Sequence, residues 1–178
     1  MTNMNIAKEL SENQIILLLV PSIDYNNLVV DIARHLSSKS VCYVTTNKTY
    51  DSLNELFQKR KVHLKNIAFI DTISETIKET PKQSEAVYFI SSPGALTETS
   101  LVINQFLRHG FNYLIFDSIT NLLIYQKKAQ VAEYLLSLVN KIKSSGTKAV
   151  FYALKTKEQE ELIDEMGTFV DKVIDLGR

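Results

Sequence analysis

Glycine is scarce in this chain, and the first of its five glycines is Gly94. A loop that wraps a phosphate needs glycines so that successive backbone N–H groups can turn toward the anion. Neither G-x-x-x-x-G-K-[ST] nor G-x-G-x-x-G can therefore occur in the first strand–loop–helix unit. Cysteine is almost absent as well, since Cys42 stands alone and excludes an internal disulfide. A lone cysteine within an apolar run is typical of an inert core thiol in a reducing compartment.

Long apolar runs and an excess of charge are also missing. The most apolar run, Ile15–Val20, is far shorter than the roughly 18 residues that span a bilayer. Twenty basic residues balance twenty acidic ones, so no overall field attracts nucleic acid or an anionic membrane. The polar start, Met1–Asn13, lacks the pattern of a signal peptide. These features predict a cytoplasmic protein without membrane insertion and without clear nucleic-acid binding.

What the chain does contain is an alternation of short apolar runs with amphipathic stretches over 178 residues, a length that suits one domain. Continuous apolar runs are typical of strands covered by helices on both faces. The pattern predicts an α/β three-layer sandwich with a mostly parallel, twisted sheet, as one domain over residues 1–178. Residues 1–13 form an N-terminal extension that is either an interaction arm or a frayed helix. The predicted strands are Ile15–Val20, Val41–Thr45, Ile67–Asp71, Ala86–Ser91, Tyr113–Asp117, Ala149–Leu154 and Val170–Leu176.

In such a fold, ligands bind beyond the carboxyl ends of the strands. The first of these positions, Val20–Asn27, has no glycine and no lysine. Asp24 lies near the start of the next helix, where its charge favours the helix dipole and opposes a phosphate. Charge-assisted hydrogen bonds contribute about 1.5–3 kcal/mol each, whereas micromolar affinity corresponds to about 8 kcal/mol. Losing three or more such bonds could therefore remove ATP binding at this loop.

Asp117 ends the apolar strand Tyr113–Asp117 and is followed by Ser118. An aspartate in this position can hold Mg²⁺, usually through water, or it can cap the turn that follows a buried strand. The chain carries no H-E-x-x-H, C-x-x-C or G-x-S-x-G motif. No metal ligands and no catalytic residues are therefore predicted.

The segment Ser91–Ser100 is the richest remaining candidate, because it combines hydroxyl groups, one glycine and a helix N-terminus. Ser92-Pro93-Gly94 suggests an N-cap followed by proline in the first turn. A displaced anion site here would use Ser92, Gly94 and Thr97 together with Asp117 and Ser118. Glu98 in the first turn favours ordinary helix capping instead.

Taken in order, these landmarks resemble the RecA/KaiC-like ATPase core, in particular small archaeal KaiC-like proteins, over roughly residues 15–176. The strand Val41–Thr45 is similar to the second strand of KaiC-like domains, and Tyr113–Ser118 resembles their Walker B strand with its trailing serine. Phe169–Leu176 resembles their closing strand. The resemblance implies a P-loop NTPase-type fold, and it makes self-association plausible because RecA-like proteins commonly form rings or filaments.

The chain departs from this family where the family does chemistry. The phosphate-loop glycines and lysine have no counterpart, and the positions of the catalytic carboxylates fall near Thr46 and Asn47. Loss at two parts of the site favours a pseudo-ATPase with a degenerate Walker A motif, which acts in regulation or signal transduction through protein partners without a cofactor. Whether the chain is an enzyme stays open, and two alternatives remain. One is a nucleotide-binding protein or ATPase with the displaced site, which would use Mg-ATP; the other is a structural subunit of a RecA-like oligomer.

Overall fold

The computed structural model describes residues 4–78 and 84–177 as seven strands and seven α-helices that alternate along the chain. Near-continuous apolar runs form the strands, and stretches with apolar residues three and four apart form the helices. The strands are β1 (Ile15–Val20), β2 (Val41–Thr45), β3 (Ile67–Asp71), β4 (Val87–Phe89), β5 (Tyr113–Asp117), β6 (Lys148–Leu154) and β7 (Lys172–Asp175). The helices are α1 (Ile6–Glu12), α2 (Tyr25–Leu36), α3 (Tyr50–Lys59), α4 (Ser74–Ile77), α5 (Leu96–Arg108), α6 (Lys128–Lys143) and α7 (Glu160–Gly167).

All seven strands belong to one sheet in the order β4-β3-β2-β5-β6-β1-β7, and every neighbouring pair is parallel. The predicted α/β class with a mostly parallel sheet is therefore confirmed. The strands β1, β2, β3 and β5 have the predicted bounds. The two edge strands are shorter than predicted, since β4 spans only Val87–Phe89 and β7 only Lys172–Asp175. Both edges carry exposed side chains, Tyr88 and Val173, and short edge strands are typical of sheets that resist edge-to-edge pairing.

Alternate residues of each strand face two separate helical layers, as the period of a β-strand requires. In β1, Ile15 and Leu17 pack with the layer of α5, α6 and α7, whereas Ile16 and Leu18 pack with the layer of α1, α2 and α3. Burial on both faces explains why the strand is continuously apolar. None of the described helices is both long enough and apolar enough to cross a membrane.

The described part of the N-terminal extension forms helix α1, which packs against the core instead of fraying. Ile6 and Leu10 are each 1% exposed and belong to the same apolar cluster as α2. Asn5 caps the helix by accepting a hydrogen bond from the Lys8 backbone N–H. Glu9 is paired with Lys172 of β7 at 2.7 Å. Residues 1–3 of the extension lie outside the described residues, and the single-domain interpretation stays a prediction.

Candidate functional site

Three tyrosines surround Asp117 at the carboxyl ends of the central strands. Asp117 ends β5 and is in register with Tyr152 of β6. Tyr43 of β2 and Tyr25, the first residue of α2, belong with Tyr152 to the apolar cluster on the α2 side of the sheet. All four side chains are buried, and Asp117 is 0% exposed. We call Tyr25, Tyr43, Asp117 and Tyr152 the tyrosine–aspartate cluster.

Both carboxylate oxygens of Asp117 accept hydrogen bonds from within the chain. The Tyr25 hydroxyl donates to Oδ1, and the Tyr43 hydroxyl donates to Oδ2 at 2.5 Å. The Asn47 side-chain amide donates to the Tyr25 oxygen at 2.7 Å and reaches Asp117 Oδ1 at 3.4 Å. Asp117 is thus a buried acceptor whose partners are protein side chains.

Burial and hydrogen bonding have opposite effects on the protonation of this cluster. Burial raises the pKa of Asp117 to about 6, although the hydrogen bonds from Tyr25 and Tyr43 and the charge of Lys48 act to lower it. Burial and the charge of Asp117 hold the pKa of both Tyr25 and Tyr43 well above that of an ordinary tyrosine. The tyrosines are therefore neutral hydrogen-bond donors, and Asp117 titrates close to neutral pH.

Tyr152 differs from the other two tyrosines because its hydroxyl group is buried without a hydrogen-bond partner among the described residues. Burial, and secondarily the charge of Asp117, raises the pKa of this phenol. Tyr152 therefore contributes apolar packing and an unsatisfied hydroxyl group, while Tyr25 and Tyr43 hold the carboxylate.

The connection between β1 and α2 is short and leads directly to a member of the cluster. Only four residues separate Val20 from Tyr25, and three of them form the short 3₁₀ turn Ser22–Asp24. Asp24 takes the predicted position at the start of the helix, but its side chain makes no capping hydrogen bond. The helix begins directly with Tyr25, whose hydroxyl group reaches Asp117. Residues 21–24 take the position of a phosphate loop, and the next residue, Tyr25, binds Asp117.

The end of β2 is joined to the end of β5 by the side chain of Thr46. The Thr46 hydroxyl lies 3.2 Å from the Asp117 carbonyl oxygen and donates to that of Ser118 at 2.8 Å, and it accepts from the Ser118 N–H. Ser118 is fully buried, follows a cis peptide bond, and its hydroxyl lies 3.1 Å from that of Thr120. Ser118, one of the predicted binding residues, is therefore enclosed with Asp117.

The second predicted region, around Gly94, makes hydrogen bonds with other partners than Asp117. The Gly94 carbonyl accepts a hydrogen bond from the Gln126 side chain at 2.9 Å. A Cβ at Gly94 would lie 3.1 Å from that of Tyr125, so close packing accounts for the glycine. Among the described residues, no hydrogen bond joins Ser92, Gly94 or Thr97 to the tyrosine–aspartate cluster.

The predicted N-cap at Ser92 is wrong. Helix α5 begins at Leu96, and its N-cap is Ala95, which has no side chain able to cap. Ser92 instead accepts a backbone hydrogen bond from Ala95 at 3.1 Å, which closes a turn before the helix. The Gln126 side chain donates to the Gly94 carbonyl within this turn, and the helix starts later than the sequence pattern indicates. Thr97 is exposed in the first turn, next to Glu98, whose carboxylate accepts from Ser91 at 2.9 Å.

A family model matches residues 5–178, almost the whole chain. The chain belongs to DUF7090, a family of unknown function. No curated protein matches this DUF7090 chain significantly.

Solved structures show the fold of this DUF7090 chain. It is similar to a KaiC-like protein from the hyperthermophilic archaeon Pyrococcus horikoshii OT3, with 12% identity and a TM-score of 0.59 over 91% of this chain and 71% of that one. It is also similar to an uncharacterized protein from Pyrococcus horikoshii in complex with an unknown peptide, with 13% identity and a TM-score of 0.65 over 94% of this chain and 82% of that one. The resemblance to the RecA/KaiC-like fold is confirmed.

One buried carboxylate of the DUF7090 chain was missed by sequence reasoning. Asp71 ends β3 and is fully buried. It accepts from the backbone N–H groups of Tyr50, Ile73 and Ser74 at 2.7–2.9 Å and from the Ser74 hydroxyl at 2.5 Å. An apolar strand that ends in aspartate is the same signal that identified Asp117, and it was present here as well. Asp71 therefore caps the turn that leads into α4 and also accepts from the first backbone N–H of α3.

The acidic, histidine and cysteine side chains in the described part of the DUF7090 chain do not form a metal centre. No three such side chains come together in a group that could hold a metal ion there. Cys42 is buried, as predicted for an inert core thiol, and burial raises the pKa of its thiol group.

Proposed function

We propose that this chain is a non-catalytic, RecA/KaiC-like domain that acts in regulation or signal transduction through contacts with other proteins. One observation carries the proposal: the hydroxyl groups of Tyr25 and Tyr43 bind the two oxygens of Asp117, the one residue that matches the Walker B aspartate. An aspartate that holds Mg²⁺ must present an oxygen to the ion or to its water. Here the oxygens face two phenols in a buried site.

The neighbouring elements support the same proposal. The catalytic carboxylates of KaiC-like proteins would follow β2, where this chain has Thr46 and Asn47. The Thr46 hydroxyl donates a hydrogen bond to the Ser118 carbonyl, and the Asn47 amide donates one to the Tyr25 hydroxyl. A threonine or an asparagine cannot act as a general base toward water. Binding of a partner is supported by the structural neighbour from Pyrococcus horikoshii that was solved with an unknown peptide.

The test is a calorimetric titration of the full chain with Mg-ATP, Mg-ADP and Mg-GTP, combined with an assay of phosphate release. We expect no saturable heat at millimolar nucleotide and no phosphate release above the buffer rate, because three or more charge-assisted contacts of about 1.5–3 kcal/mol each are missing.

Two variants make the opposite result interpretable. The isosteric Asp117→Asn substitution removes the carboxylate charge, and a Ser92→Ala, Thr97→Ala double variant removes the hydroxyl groups of the displaced site. Saturable Mg-ATP binding that either variant weakens by about tenfold would overturn the proposal and support a nucleotide-binding protein. A far-ultraviolet circular dichroism spectrum equal to that of the wild type shows that each variant is folded.

A further inference from the structure

A groove runs along the outer surface between α5 and α6. Its wide end is a cavity of about 790 Å³, and its middle is a cavity of about 410 Å³. The two cavities share the lining residues Asn104, Glu133, Ser137 and Lys141, so they form one continuous groove. The lining side chains on each helix recur three and four positions apart, which places them on one face of each helix.

Leucine side chains line both walls of this α5–α6 groove. Leu101 is 61% exposed on α5, and Leu136 is 40% exposed on α6. Leu107 lines the wide end together with Leu136, and Leu101 lines the middle. Full burial of a leucine side chain contributes about 1.5–3 kcal/mol. A partner that covers these leucines therefore gains binding free energy, because their apolar surface is removed from water.

The walls determine which backbone conformation a partner can adopt in the groove. An extended peptide needs hydrogen bonds to backbone N–H and C=O groups, as at the edge of a sheet. Both walls here are helices, whose backbone groups are bonded internally. A third helix satisfies its own backbone groups and packs side chains between those of α5 and α6. Helix α5 has 13 residues, so the groove is about 20 Å long and suits a helix of about four turns.

Charge gives the groove a direction. Arg108 lines only the wide end, whereas Lys141 and Glu133 line both cavities, and neither Arg108 nor Lys141 forms an ion pair with another residue in the described ranges. Arg108 is exposed, and Lys141 donates only to the Ser100 hydroxyl at 2.9 Å. Glu133 is the single acidic side chain that lines the same end. Because the whole chain has no net charge, this basic pair is a local feature that attracts acidic side chains.

We propose that the α5–α6 groove binds an amphipathic helix of a partner protein. Apolar residues of that helix at positions i, i+3 or i+4, and i+7 contact Leu101, Leu107 and Leu136, and acidic residues at the wide end of the groove contact Arg108. The inference rests on the proposed function, since it assigns a surface to the partner contacts. The groove lies on the opposite face of the sheet from Tyr25 and Tyr43.

The probe is a synthetic helical peptide of 14 residues with leucines on one face and three glutamates at one end. Two matched peptides serve as controls: one has the same composition in scrambled order, and the other carries lysine in place of each glutamate. Binding to the full-length chain is measured by fluorescence anisotropy, and the contact surface by amide chemical-shift changes. We expect saturable binding of the glutamate peptide, with shift changes on α5 and α6, and binding at least about tenfold weaker for both controls.

Variants of exposed residues locate the binding site without disturbing the core. The double variant Leu101→Ser, Leu136→Ser is expected to weaken binding of the glutamate peptide at least about tenfold. Arg108→Glu is expected to weaken binding of the glutamate peptide and to strengthen binding of the lysine peptide. Ile23→Ser changes an even more exposed apolar side chain outside the groove, and it is expected to leave binding unchanged.

Two results would overturn the inference. One is equal binding of the ordered and scrambled peptides, or binding that the leucine variants do not weaken. The other is self-association of the chain in a light-scattering concentration series that Leu101→Ser abolishes, since the groove would then hold a second copy. Neither result depends on nucleotide. The titration with Mg-ATP tests the proposed function on wild-type protein without peptide, so the proposed function and the groove proposal can fail separately.

Discussion

The Tyr43→Phe variant is expected to unfold with a free energy about 2–3 kcal/mol below that of the wild type at neutral pH. The substitution removes the hydroxyl group that donates to Asp117 Oδ2 and changes nothing else in shape. A buried, ionised carboxylate that loses a donor keeps its desolvation cost without compensation. Chemical denaturation followed by circular dichroism measures the change.

Tyr152→Phe is the matched control, because Tyr152 is equally buried in the same apolar cluster and its hydroxyl group has no partner in the described chain. Removing an unsatisfied buried hydroxyl group is expected to leave the free energy of unfolding unchanged or to raise it by about 1 kcal/mol. Equal destabilisation by the two substitutions would show that the bond from Tyr43 to Asp117 adds nothing to the stability of this site.

The second expected result is a pH dependence that originates at Asp117. Burial raises the pKa of this carboxyl in the folded chain to about 6, above its ordinary value of 3.8. The folded state therefore binds the proton more tightly than the unfolded state, and the contribution of Asp117 to stability is present at low pH and lost as the pH rises through about 6. The full difference corresponds to roughly 3 kcal/mol.

Comparison with Asp117→Asn isolates this effect, since the other titrating groups are the same in both chains. Between about pH 7.5 and about pH 4.5, the wild type is expected to gain about 2 kcal/mol of unfolding free energy relative to the variant. Chemical denaturation at a series of pH values measures both. A difference that stays constant with pH would show that Asp117 titrates as an ordinary, solvated carboxyl group. A difference that falls toward acid pH would show that its hydrogen bonds outweigh its burial.

Sequence reasoning predicted the strands well because their pattern is local. Val41–Thr45 and Tyr113–Asp117 are apolar throughout and buried on both faces, and the structure gives them the predicted bounds. The late start of α5 could not be predicted in the same way. The turn before it carries a hydrogen bond from the Gln126 side chain to the Gly94 carbonyl, a contact between residues 32 positions apart.

The candidate site shows the same division between local and distant information. Asp117 was identified from the strand that it ends, and the missing glycines exclude a glycine-rich phosphate motif between β1 and α2. The donors to Asp117 were not assigned, because Tyr25 and Tyr43 are separated from it by 92 and 74 positions. Nothing local to a tyrosine indicates which carboxylate its hydroxyl group reaches, and only the strand order of the sheet brings these residues together.

The short connection between β1 and α2 has a consequence for protein engineering. A Walker A motif runs over about six positions from its first to its last glycine, whereas four residues link Val20 to Tyr25 here. Substitutions alone cannot lengthen a chain, so installing such a motif here would require either an insertion or the unwinding of the first turn of α2, as well as the removal of Tyr25.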